Sequence, residues 1–197
     1  GPGAPASTTN VSAGRFPDGA DTDSNCTDFL VQPATTLSAA SAAGAANIKV
    51  DSVEGFAAGQ TITIDAGANA ETAVISHVGT AGATTVETAT SVGATSIPVA
   101  GAMGFSVGQT INIDSGRNFE TAVIASISRP RGGPGRPPAR GATITVARPL
   151  KFAHAAGVEV SGSGITLTSA LTRAHAGGAQ VAAGAPTPGA PNRYYKK

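Results

Sequence analysis

The chain has 197 residues, 41% of them hydrophobic, with 26 Gly, 13 Pro, no Trp and one cysteine, Cys26. That length holds one medium domain or two small ones. The lone cysteine excludes an internal disulfide, and no apolar run is long enough for a membrane-spanning helix. Charged residues are only 13% and the net charge is +1. Residues 1–98 nevertheless carry nine acids and two bases, and residues 99–197 three acids and eleven bases. Such polarity favours head-to-tail contact between copies, or contact with an anionic surface.

Five zones follow in chain order. Residues 1–35 are polar, acidic and rich in Gly and Pro, and their Gly1-Pro2 opening reads as a processed or excised chain. Residues 36–88 hold a first repeat and 89–160 a second. Residues 161–183 read as a partial third copy, and 184–197 form a Pro-rich basic tail. Gly55–Ile75 and Gly104–Ile124 are identical at 15 of 21 positions, at an offset of 49. A second offset, of 21, relates residues 144–160 to 165–181, including Ala-His-Ala around His154 and His175.

The local period is two. Thr61-Ile62-Thr63-Ile64 and Thr110-Ile111-Asn112-Ile113 alternate polar with apolar, as half-buried strands do. The stretches around Gly67-Ala68-Asn69 and Gly116-Arg117-Asn118 carry turn residues, so each repeat is expected to contain a hairpin. The fold class is therefore all-β, with tandem small barrel- or sandwich-like modules and irregular terminal segments. Leu37–Ala43 and Ala170–Ala176 carry enough helix formers for a short helical piece.

Candidate chemistry is sparse. Asp65 with Glu71, and Asp114 with Glu120, are paired acids flanking the hairpin loops. Paired carboxylates suit acid–base catalysis or a metal. Their duplication favours turn architecture instead, because a repeated module must repeat its turns. No catalytic residue is assigned, and the chain is read as a non-enzyme. Asp21-x-Asp23-x-Asn25 places oxygen ligands at alternate positions, an arrangement that suits calcium. A solvated acidic turn with no cofactor is the expected reading, with calcium as the alternative. His77, His154 and His175 lack the further His or Cys partners of a zinc site. Arg129, Arg131, Arg136 and Arg140 lie in a Pro- and Gly-rich insertion that could hold an acidic glycan. Nucleic acid is disfavoured, because no aromatic is interleaved for base stacking. Where the two hairpin loops differ, Ala68 and Ala70 become Arg117 and Phe119. These two residues are the candidate partner contact.

Two segments, Gly14–Asn25 with Asp28-Phe29 and Thr187–Asn192, resemble the closing segment of bacterial lamin-tail-type domains. Those domains are immunoglobulin-like sandwiches on secreted proteins. The framework Gly-x-x-x-Ile-x-Val, Gly-Phe-x-x-Gly-Gln-Thr-Ile-x-Ile and Glu-Thr-Ala-Val-Ile resembles β-repeats of large exported bacterial proteins. The resemblance implies a secreted or cell-surface β-module inserted in a lamin-tail-like segment. It also implies a structural or adhesive role, with copies of itself or other extracellular proteins as partners. The alternative is a polysaccharide-binding accessory module of a secreted hydrolase, disfavoured by the shortage of aromatics.

Overall fold

A computed structural model describes residues 32–129 and 141–183, together with the backbone of 11–15 and 29–31. The fold is all-β, built from two antiparallel sheets, one of them curled into a half-barrel. The strands in chain order are β1 (Val11–Arg15), β2 (Phe29–Thr36), β3 (Asn47–Ile48), β4 (Thr61–Ile64), β5 (Glu71–Val78), β6 (Ala83–Thr85) and β7 (Ser96–Val99). They continue with β8 (Thr110–Ile113), β9 (Glu120–Ser128), β10 (Ala142–Val146), β11 (Glu159–Ser161), β12 (Ile165–Leu167) and β13 (Gln180–Ala183).

One sheet has the order β1-β2-β13-β4-β5-β12-β3, the other β6-β11-β8-β9-β10-β7. Apart from β1, an added edge strand, the two orders superpose strand for strand: β2 on β6, β13 on β11, β4 on β8, β5 on β9, β12 on β10 and β3 on β7. The offset of 49 relates the hairpins and the offset of 21 relates the later strands. The wiring is therefore nested. Residues 161–183, expected as a partial third copy, supply β12 and β13 to the first sheet. The second module, β6 to β11, is threaded between β5 and β12. Strands β12 and β13, too short to bury a face of their own, gain a core by pairing into a sheet that already has one.

Each hairpin follows from its alternation. In β4 and β8 alike, the two isoleucines are fully buried and the polar residues between them are not. The hairpins share one register, with Ile64 opposite Glu71 and Ile113 opposite Glu120. The later strands bulge at matching places, Thr145/Val146 and Thr166/Leu167. A bulge bends its strand and strengthens its twist, which helps a narrow sheet curl over its own core.

Two cores result. One gathers Leu37, Ile48, Ile62, Ile64, Ile75 and Ile165, the other Val86, Ile97, Ile111, Ile113, Ile124 and Ile144. These are six pairs of equivalent positions. Burying such a side chain contributes roughly 1.5–3 kcal/mol, so isoleucine carries a core that lacks tryptophan.

The helix formers do not make helices. Leu37 bridges Val50 and Ser41 bridges His175, with bends at 38–39 between them and a turn beginning at 43. Leu37 is 1% exposed, and its burial outweighs the weak preference of its alanine neighbours. Residues 170–176 form bends with a single bridge at His175. Among the described residues the helical elements are two three-residue turns, Gly67–Asn69 and Gly116–Asn118, inside the hairpin loops.

The modules meet where two linkers, 79–82 and 162–164, run side by side. The Gly79 amide donates to the Gly164 carbonyl, Gly164 to Thr80 and Gly162 to Gly82. Thr80 and Ser163 exchange amide-to-hydroxyl bonds of 2.9 and 3.0 Å. Lys49 Nζ donates to the Gly162 carbonyl at 2.8 Å. Burial lowers the pKa of this amine, and the Glu159 charge opposes that shift. A Cβ at Gly162 would collide with the carbonyl oxygens of Thr80 and Ala81, so the close approach requires glycine.

Candidate functional site

Aligning the two modules shows which ionisable side chains the duplication retains. Lys49, Asp51, Glu54 and His77 face Pro98, Ala100, Met103 and Ser126; Arg148, Lys151 and Glu159 face Ser169, Thr172 and Gln180. Only three positions keep their charge chemistry: Asp65/Asp114, Glu71/Glu120 and His175/His154. The fold brings these three together in each module.

In the second module the His154 ring is 1% exposed. Its Nδ1 lies 3.2 Å from Asp114 Oδ2 and its Nε2 2.8 Å from Glu120 Oε1. In the first module His175 Nδ1 lies 3.2 Å from Asp65 Oδ2, and Nε2 3.2 Å from Glu71 Oε2. A neutral imidazole has one N–H and donates to one carboxylate; the doubly protonated ring donates to both. Each ring thus bridges two carboxylates, with both nitrogens within hydrogen-bonding distance of an acid oxygen.

The strands position each partner. Asp65 and Asp114 end β4 and β8 with φ of 68° and 64°, a left-handed conformation that Asp tolerates better than most residues. There Oδ1 accepts the next amide, Ala66 at 2.8 Å and Ser115 at 2.7 Å. Glu71 and Glu120 begin β5 and β9. Glu120 accepts the Lys151 and Phe152 amides at 2.9 and 3.1 Å, and Glu71 accepts those of Thr172 and Arg173 at 2.7 and 3.0 Å. Each histidine is held through its backbone by an isolated bridge outside the strands, His154 to Thr90 and His175 to Ser41. The carboxylates thus satisfy amides of a loop that crosses the end of the sheet and has no strand to pair with.

Four carboxyl groups respond in one direction. Asn69 and the Ala66 amide, then His175, hold Asp65 below the usual range. The Thr172 amide chiefly lowers Glu71, against an opposing effect of burial. The Ser115 amide lowers Asp114, with His154 adding to it and burial opposing. For Glu120 burial is the largest influence and raises the pKa; the Lys151 amide, His154 and the Phe152 amide together outweigh it.

The first module adds two further side chains, Asn69 and Arg173. Asn69 Nδ2 donates to Asp65 Oδ2 at 2.7 Å and to the Ala174 carbonyl at 3.1 Å. Arg173 Nη1 donates to the Ala68 carbonyl.

Chemically, each cluster fastens a hairpin turn to a returning loop. The imidazole nitrogens face carboxylate oxygens at hydrogen-bonding distance, leaving no gap for an ion between them. Among the described residues, no group of three or more His, Cys, Asp or Glu is placed to hold a metal, and no helix is long and apolar enough to cross a membrane.

Other sequence candidates scatter. Asp21, Asp23, Asn25 and Cys26 lie outside the described residues, as do Arg131, Arg136 and Arg140. So does most of the lamin-tail-like resemblance. Arg129 donates through Nη2 to the Ala102 carbonyl at 2.6 Å. Arg117 and Phe119 stand at the tip of the second hairpin, with Phe119 49% exposed. The acidic-then-basic polarity of the sequence does not become a polarity of the folded modules. In the described residues the first module carries four acids (Asp51, Glu54, Asp65, Glu71) and two bases (Lys49, Arg173). The second carries four acids (Glu87, Asp114, Glu120, Glu159) and four bases (Arg117, Arg129, Arg148, Lys151). Most of the asymmetry belongs to the segments outside.

The Asp–His–Glu association spans up to 110 residues, beyond any local motif. Its signal was the coincidence of two offsets: the three titratable positions kept in both copies are the three that meet. No protein-family model matches the chain, and no curated protein matches it.

Proposed function

We propose that this chain is a non-catalytic structural module of an extracellular or cell-surface protein, and that copies associate through their oppositely charged segments. One observation carries the reading. The ionisable groups retained by the duplication are engaged in holding turns and loops, in both modules alike. A buried imidazole with both nitrogens occupied offers no base to a substrate. Differences between copies accumulate on the surface, as they do when a stable frame is reused for contacts.

The charged segments supply the drive for association. Asp18, Asp21, Asp23 and Asp28 fall within eleven residues that contain no base, and Arg129, Arg131, Arg136 and Arg140 within twelve that contain no acid. Attraction between such segments is long-ranged at low salt and screened beyond about 10 Å at 0.1 M ionic strength. Sedimentation velocity over a range of concentrations and salt tests the proposal. Species larger than the monomer at low salt, dissolving as salt rises, are expected. A monomer under every condition overturns the associating part.

A further inference from the structure

The two modules share one frame but differ sharply in what they expose. Of the seven large apolar side chains left exposed among the described residues, six belong to the second module: Val92, Met103, Val107, Phe119, Val123 and Phe152. Only Val74 belongs to the first. Two of the six share one outward face. Phe119 and Val123 alternate outward with Thr121 along the start of β9. Phe152 follows Lys151 in the returning loop, and both amides donate to Glu120, whose side chain is buried on the other face of β9.

Beside this row lies a recess of about 400 Å³, lined by Thr110, Thr121, Val123, Arg148, Pro149 and Lys151 among others. Glu120 also lines it, but its oxygens already accept the Lys151 and Phe152 amides and face His154. The free charges at the recess are thus positive, on Arg148 and Lys151. At the equivalent places the first module has Ala68 for Arg117, Ala70 for Phe119, Ser169 for Arg148 and Thr172 for Lys151. That module folds with the same register, so the frame needs neither the cations nor the aromatic ring.

We propose that this face of the second module, centred on Arg148 and Lys151 and lined by Val123 and Pro149, binds an acidic polysaccharide of the uronate type. The chemistry matches part by part. Guanidinium and ammonium groups pair with sugar carboxylates. The Thr110 and Thr121 hydroxyls can bond ring hydroxyls. The Val123 and Pro149 surfaces suit the apolar faces of pyranose rings. An acidic peptide would share the charge but gains most by adding a strand. At this face the β9 main chain is occupied, by β8 on one side and on the other by the Ala147 amide bonded to the Val123 carbonyl. Recognition must run through side chains, which favours the glycan.

The test compares the full chain with R148S/K151T, which installs residues that the first module already accommodates. Affinity electrophoresis and calorimetry use polygalacturonate, neutral dextran and poly-aspartate as probes. Retardation by polygalacturonate alone is expected, weakened at least tenfold in R148S/K151T with the melting temperature unchanged. The reciprocal variant S169R/T172K, in the first module, is expected to raise the number of sites bound. Absent polygalacturonate binding overturns the proposal, as does equal affinity of the double variant. Equal or tighter binding of poly-aspartate overturns it in favour of an acidic protein partner. Loss of binding only when Arg131, Arg136 and Arg140 are replaced by Ser assigns the site to the insertion and overturns it too. None of these outcomes depends on whether copies self-associate, which sedimentation reads separately.

Discussion

The first and second modules have the same strands in the same order, yet they differ in how they are closed. The second is continuous in sequence from β6 to β11. The first is opened after β5 and completed by β12 and β13 nearly ninety residues later. Their Asp–His–Glu clusters differ in parallel. Around His154 the carboxylate side chains are 13% and 8% exposed, around His175 27% and 10%. The looser cluster is the one that recruits Asn69 and Arg173. A frame used twice thus separates what folding requires, which is kept, from what local exposure permits, which drifts.

Replacing the histidines breaks this comparison most directly. His154→Ala leaves Asp114 and Glu120 facing each other without the ring between them. Removing one partner from a buried pair costs about 3 kcal/mol or more. His175→Ala is expected to cost less, because Asp65 and Glu71 regain water more readily. Urea unfolding monitored by amide hydrogen exchange at Ile62 and Ile111 separates the modules. Equal losses in the two variants would mean that exposure does not set the strength of the cluster.

Acid sharpens the comparison next. Asp65, Glu71, Asp114 and Glu120 all have folded-state pKa values below the ordinary ones. The unfolded chain therefore takes up their protons first. Their stabilising contribution is complete above the ordinary carboxylate range, about pH 4 to 4.5, and is lost as pH falls through the lower folded-state values. Unfolding midpoints measured from pH 6 to 2.5 should hold steady and then fall. Glu120→Gln should make that fall shallower, and a slope unchanged by the substitution would count against its part in it.

The smallest effect is expected from Asn69→Ala. It removes an exposed bond to Asp65, for which Asn118 in the second module has no counterpart. A melting shift of about 1 °C is expected for Asn69→Ala and none for Asn118→Ala. A shift for both would show that the two asparagines serve the turn rather than the carboxylate.

Much of the fold is legible in Thr-Ile-Thr-Ile and Thr-Ile-Asn-Ile, where a period of two with β-branched residues leaves little choice but a strand. The hairpin turns are legible for the same local reason. The nesting is not. Residues 165–181 resemble 144–160, but a strand's sequence states which face is buried, not which edge it joins. Leu37–Ala43 misleads because alanine's helix preference is a few tenths of a kcal/mol per residue, while the burial of Leu37 is worth more. The candidate site divides likewise. Asp65, Glu71 and their copies read as turn residues locally, and the imidazole that completes each cluster enters from 34 to 110 residues away.

The nested wiring also fixes how the molecule meets force. Once β1 has been pulled from β2, tension along the chain enters at β2 and leaves at β13, and these strands are antiparallel neighbours, with Thr36 opposite Gln180 and Ala34 opposite Ala182. The Phe29 end of β2 and the Ala183 end of β13 lie at the same end of the pair. A pull there unzips the ladder one bond at a time instead of shearing it whole. The second module hangs from β5 and β12 and bears no load until the first has opened. Its surface, with Arg148, Lys151 and the two phenylalanines, stays folded while its neighbour yields as a mechanical fuse.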